Sequence, residues 1–139
     1  MQDSVGYLLK RVQSGLRAAM DGVLAARGLT TPQYWVLSWL EQAPGSSSAQ
    51  LARRSFVTPQ TMIRIVENLE ALGLVARGAH PTHGKVLQVT LTPAGARLVA
   101  SCHAEAAEAE ARMLSRIGAA DRATLRRLLA ECAAALESS

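Results

Sequence analysis

Apolar residues fall on helical spacings for most of this chain. Between Ser4 and about Ala26, Val5, Leu8, Leu9, Val12, Leu16, Met20, Val23 and Leu24 recur at steps of three and four, which gathers them on one face of a helix that ends at Gly28. Thr31 followed by Pro32 reads as an N-cap with proline at the first helical position, and the helix it opens runs through Tyr34 to Gln42 before Ala43-Pro44-Gly45 stops it. Three serines then form a polar link. Ser47 and Gln50 have the spacing of a capping box ahead of Leu51 and Ala52, which predicts a short helix from Ser48 to about Arg54. Thr58-Pro59 repeats the cap-plus-proline signal, and Met62, Ile65, Val66, Leu69 and Leu72 supply a core-facing stripe up to Gly73.

The period changes after Gly73. Leu74-Val75-Ala76-Arg77 and the alternating Val86-Leu87-Gln88-Val89-Thr90-Leu91, separated by residues 78–85, predict a β-hairpin with a long tip. Thr92-Pro93 then caps an alanine-rich helix to about Ile117. Asp121 leads a last helix carrying Leu125, Leu128, Leu129, Cys132 and Leu136. The fold class expected is mainly α with a small β-hairpin wing: a short capped helix, a tight turn, a longer capped helix and a hairpin, in the order of a winged helix-turn-helix.

Length and charge sharpen this reading. The 139 residues amount to one domain, and with 49% hydrophobic and 19% charged residues the chain is too apolar to be disordered. No run of eighteen uncharged apolar residues occurs and Met1 to Gln13 lacks a signal-peptide layout, so a cytoplasmic protein with no membrane role is expected. The net charge of +4 is unevenly spread. Between Ser48 and Thr92, Arg53, Arg54, Arg64, Arg77 and Lys85 face only Glu67 and Glu70, which locates any anion-docking surface there.

Several segments resemble the MarR family of winged helix-turn-helix transcription regulators. They are Leu29-Thr30-Thr31-Pro32-Gln33-Tyr34-Trp35-Val36-Leu37, Gln50-Leu51-Ala52, Val57-Thr58-Pro59-Gln60-Thr61-Met62-Ile63-Arg64, Leu69-Glu70-Ala71-Leu72-Gly73-Leu74-Val75-Ala76-Arg77 and Leu91-Thr92-Pro93-Ala94-Gly95. The resemblance covers nearly the whole chain. It implies a single domain over 1–139, with a DNA-binding lobe at 29–92 and dimerisation helices at 1–28 and 93–139. It also implies a homodimer on double-stranded DNA, a repressor of a pseudopalindromic operator released by a small aromatic or anionic effector. The dimer interface would draw on Val5, Leu8, Leu9 and Val12 with Leu125, Leu128, Leu129 and Leu136.

On this reading the N-terminal half of the second helix of the motif enters the major groove. The backbone N–H groups at the N-terminus opened by Thr58 and Pro59, helped by the Thr58 cap, suit a phosphate, Gln60 suits adenine, Arg64 suits guanine, and Thr61 or Ile63 suits a thymine methyl. Ser47, Arg53 and Arg54 belong with the phosphate contacts. In the wing the family pattern places an Asp two residues before a minor-groove Arg. Here those positions are His83 and Lys85, which keeps one positive charge but loses the planar fork. Protonation of His80 and His83 would strengthen DNA binding at low pH. Met20, Trp35 and Trp39 are the expected lining of an effector pocket.

Rival readings find less. A winged helix can also serve as a protein-interaction module, against which the basic middle and the Gln60-Thr61-Arg64 surface argue. No cofactor is implied. His80-x-x-His83 has no nearby Cys, Asp or Glu to complete a metal site. Cys102-His103 is the only adjacent nucleophile and base, but neighbours on a helix point about 100° apart, so no enzyme is expected. Cys102 and Cys132 both read as core thiols on apolar helix faces.

Overall fold

The first long helix, α1 (Val5–Leu24), begins where the Ser4 hydroxyl accepts the Tyr7 N–H, and a single 3₁₀ turn over Ala25–Arg27 carries it to Gly28. The computed structural model describes residues 1–79 and 87–138. After α1 come α2 (Thr31–Gln42), a two-residue strand β1 (Ser46–Ser47), α3 (Ser48–Ser55), α4 (Pro59–Ala71), strands β2 (Val75–Ala79) and β3 (Leu87–Leu91), α5 (Pro93–Met113) and α6 (Ala119–Glu137). The sheet is antiparallel in the order β1-β3-β2, with Ser46 opposite Val89 and Val75 opposite Leu91.

Leu24, Val36, Leu37, Leu40, Leu51, Met62, Val66, Leu69, Val89 and Val99 are buried almost completely, so one core joins α1, the helix-turn-helix, the sheet and α5. At about 1.5–3 kcal/mol for each fully buried aliphatic side chain, this burial dominates the cohesion of the lobe. Two glycines fix its geometry. Gly73 takes φ +75° to end α4, a left-handed conformation that other residues adopt at a cost. Gly95, in the first turn of α5, lies so close to the wing that a Cβ there would meet the Leu74 carbonyl oxygen at 2.0 Å.

The structure differs from the sequence expectations in several places. Thr30, not Thr31, caps α2: its hydroxyl accepts the Gln33 N–H at 3.3 Å and Gln33 returns a capping-box bond, while Thr31 is buried and taken by Asp21. Leu72 is 58% exposed because α4 ends before it, so it leaves the core stripe. Part of the serine link is strand β1, and β2 continues through Gly78 and Ala79. Helix α5 stops at Met113, where Arg122 of α6 donates to the Leu114 and Ile117 carbonyls; α6 starts at Ala119, ahead of Asp121. Cys132 is exposed on the single chain, unlike buried Cys102.

Helix α6 has no buried residue within one chain, and Leu125, Leu128, Leu129 and Leu136 stand 36% to 79% exposed. The first half of α1 likewise presents Val5, Leu8, Leu9 and Val12 exposed.

Replacing Gly95 by Ala sets about 1 kcal/mol of helix propensity against a clash with backbone, which costs about 1–3 kcal/mol or more because Leu74 cannot turn aside. The clash wins. G95A is expected to lower the urea midpoint, with the slope of the transition unchanged.

Candidate nucleic-acid interface and adjoining cleft

Local hydrogen bonds set the helix-turn-helix in place. Ser47 caps α3 by accepting the Gln50 N–H at 3.1 Å, and Gln50 Oε1 accepts the Ser47 N–H at 2.9 Å. Thr58 caps α4 by accepting the Thr61 N–H at 3.1 Å, and its hydroxyl donates to the Thr61 hydroxyl at 2.9 Å. Between them Phe56 closes the turn in a left-handed conformation, φ +56°, with its ring 93% exposed. That conformation costs a non-glycine residue about 1–2 kcal/mol, which the bonds from its N–H to the Ala52 and Arg53 carbonyls help to hold.

With Met62, Val66 and Leu69 turned into the core, α4 exposes Gln60, Thr61, Ile63, Arg64, Glu67 and Asn68. Among the described residues, no ion pair or hydrogen bond engages the Arg64 side chain, so it is not tied to Glu67 or Asn68. Arg53 is equally free, while Arg54 lies over the Trp39 ring. Arg77 on β2 is different. Its Nη2 reaches Glu70 Oε1 at 2.7 Å and its Nε reaches Oε2 at 3.2 Å, a fork that holds the Glu70 carboxyl below the usual carboxylate range. The wing is thereby braced to the end of α4 and one positive charge is cancelled. A groove of about 950 Å³ runs beside these groups, lined by Ser47, Gln50, Arg53, Arg54, Ile63 and Arg77 among others. His80, His83 and Lys85 lie outside the described residues.

A second concavity, of about 650 Å³, lies between α1, the start of α2 and the helix-turn-helix. Leu16, Met20, Pro32, Trp35, Val57 and Ile65 form its apolar wall, and Lys10, Gln13, Ser14, Arg17, Thr31 and Ser55 supply polar groups. The structure brings Met20 and Trp35 to this cleft but not Trp39, which sits beneath Arg54 instead. The polar residues of α1 escaped sequence reasoning. Lys10, Ser14, Arg17 and Asp21 do recur at helical spacing, yet such a stripe has the pattern of an ordinary solvated face. Ser55 Oγ is shielded from solvent and has no hydrogen-bond partner among the described residues.

Asp21 links the cleft to α2. Both its oxygens accept from Arg17 Nε at 3.2 Å, and Oδ1 also accepts from the Thr31 hydroxyl at 2.5 Å and the Thr31 N–H at 3.3 Å. The bond from Thr31 is the main cause of an acidity stronger than usual for Asp. On the far side of α2, the Tyr34 hydroxyl and His103 Nδ1 lie 2.7 Å apart, and His103 Nε2 lies 2.7 Å from Glu41 Oε1. His103 is therefore occupied in joining α5 to α2. Burial pushes the Cys102 thiol up, away from the reactive thiolate.

Comparison with known proteins places this geometry. Residues 27–85 match the MarR family. The HTH-type transcriptional repressor Rv2887 of Mycobacterium tuberculosis is 42% identical over 125 residues, 90% of each chain. The crystal structure of that organism's MarR family protein Rv2887 with salicylic acid is similar at a TM-score of 0.77 and 40% identity, over 95% of this chain and 99% of that one. Its complex with DNA gives 0.76 and 38%, over 93% and 97%.

Asp21, Glu70 and Glu105 are all held more acidic than usual, chiefly by hydrogen bonds from Thr31, Arg77 and Arg27 respectively. A carboxyl whose pKa is lower folded than unfolded stabilises the fold above its unfolded pKa and loses that contribution as the pH falls through its folded one. Thermal midpoints are thus expected to hold from neutrality to about pH 4 and to fall below it. D21N and E105Q should start lower at neutral pH and show a shallower acid decline in the same melting series.

Proposed function

The chain belongs to the MarR family, and on that premise we propose that it acts as a homodimeric, DNA-binding transcriptional repressor released by a small aromatic anion. The observation that carries the DNA-binding part is the exposed face of α4, where Gln60, Thr61, Ile63 and an Arg64 with no ion pair among the described residues follow a capped helix N-terminus beside Arg53 and Arg54. We assign the N-terminal end of α4, from Thr58 and Pro59, to the major groove. Arg64 is placed on a guanine edge and Gln60 on an adenine, while Ser47, Arg53 and Arg54 serve the phosphates. Residues 29–92 form the reading lobe, and the apolar residues left open on α1 and α6 pair with a second copy. Two-fold pairing sets the half-sites about one helical turn, roughly 10 bp, apart. No helix among the described residues is long and apolar enough to cross a membrane, and we place the protein with its DNA in the cytoplasm. Its relatives are transcriptional regulators, and its role is regulation without catalysis.

The cleft is the effector site in this reading. An apolar wall with Trp35 and Met20, two cations at Lys10 and Arg17, and the Ser55 hydroxyl, which has no partner among the described residues, suit a flat ring bearing a carboxylate, and Rv2887 takes salicylic acid. A carboxylate drawn to Arg17 competes with Asp21 for the same guanidinium. Asp21 also holds Thr31 at the start of α2, so occupancy of the cleft reaches the helix on which the DNA lobe packs. A ligand can weaken DNA binding only by favouring a dimer in which the two lobes sit wrongly for one turn of DNA.

The test is fluorescence anisotropy with duplex DNA flanking the protein's own gene against scrambled duplex, at two salt concentrations. Binding to the flanking DNA is expected at least about 10³-fold tighter than to scrambled DNA, weakening steeply with salt. R64A should lose about 1–3 kcal/mol and relax specificity while the dimer persists by light scattering. Salicylate should release the wild-type complex, and R17Q should need at least about tenfold more of it. Equal weak binding to both duplexes would sink the regulator reading; unchanged salicylate response in R17Q would sink the cleft assignment alone.

A further inference from the structure

Arginines in this protein are restrained in two chemically distinct ways. Arg17, Arg27 and Arg77 are each gripped by a carboxylate, from Asp21, Glu105 and Glu70, so their charge is balanced where they stand. Arg54 is held by a ring. Its Cζ lies 5.1 Å from the centroid of Trp39, and no carboxylate pairs with it among the described residues.

The two restraints leave different groups free. A carboxylate takes the in-plane N–H donors that a phosphate would need, whereas an indole attracts the cation without neutralising it. A guanidinium lying on the ring face keeps its edge, with its fork of donors, open to a planar pair of phosphate oxygens. Trp39 is suited to hold it still, because it is half-buried on α2 and packed against the core. Arg54 lines the same groove as Ser47, Gln50 and Arg53.

We infer that Trp39 is a positioning residue for DNA binding: its ring presents the Arg54 guanidinium, uncompensated in charge, to a phosphate of the DNA backbone. This rests on the assignment of Arg54 to a phosphate. Because phosphates carry no sequence information, the contribution of Trp39 is the same on operator and on scrambled DNA, unlike that of Arg64.

A double-mutant cycle tests the inference, with W39L, W39F, R54A and both Trp39 variants combined with R54A, each titrated against operator and scrambled duplex across a salt series. R54A is expected to weaken both duplexes alike and to flatten the salt slope by about one per half-site. W39L should cost about two- to fivefold per half-site when Arg54 is present and nothing further when it is absent, and W39F, which keeps an aromatic face, should recover most of that loss. A W39L loss of equal size in both backgrounds would mean that Trp39 only supports the lobe, and would overturn the inference. An R54A protein with unaltered affinity and slope would remove Arg54 from the phosphates and the inference with it. In that case the Arg64 reading would still stand on its own loss of specificity.

Discussion

Leu74 offers its carbonyl oxygen to a space that only a glycine can share. Gly95 passes so close that no side chain fits, and the Thr92 N–H donates to the same oxygen at 3.1 Å while the Thr92 hydroxyl donates to the Gly73 carbonyl at 2.6 Å. This joint fastens the end of α4, the root of the wing and the start of α5 to one another with no compressible side chain between them. Packed interiors transmit displacement and do not absorb it. The orientation of α4 is therefore tied to the direction in which α5 leaves the lobe, and α5 leads to α6, whose leucines stand exposed.

The rest of the lobe hangs from α1 and α5 by polar ties that bridge separate elements. Arg27 donates to Glu105 at 2.7 Å from the 3₁₀ turn to α5, Asp21 reaches from α1 to the start of α2, and His103 reaches from α5 to Tyr34 and Glu41 on α2. Each is partly open to solvent and adds little stability by itself. Their direction matters more than their strength. Helix α2 is gripped at its N-terminus from one side and along its length from the other, and the cleft opens at the N-terminal grip. The charged pair Arg17 and Asp21 at that grip is joined through Thr31 to the first turn of α2.

Much of this was legible in the sequence wherever the cause is local. The capping of α3 by Ser47 and Gln50, and of α4 by Thr58 and Pro59, acts within one helical turn, so residue type and spacing suffice to locate both helices and the face that Gln60, Thr61, Ile63 and Arg64 share. Legibility fails where the partner is distant. Thr30 and Thr31 are chemically alike as caps, and the choice between them follows from Asp21, ten positions earlier. Trp39 reads as pocket lining until Arg54 is found on its face, fifteen positions on. Strand β1 is two residues long, too short for alternation to register, and exists because β3 pairs with it. Cys132 reads as core because the apolar face of α6 is real, yet no residue of that helix is buried among the described residues.

The buried side chains of the protomer, among the described residues, all fall between Met20 and Ala109. Proteins are made from the N-terminus onward, and domains fold as they emerge. Helix α6 lies beyond the last of these side chains, so the packed core leaves the ribosome ahead of the helix whose leucines stay exposed.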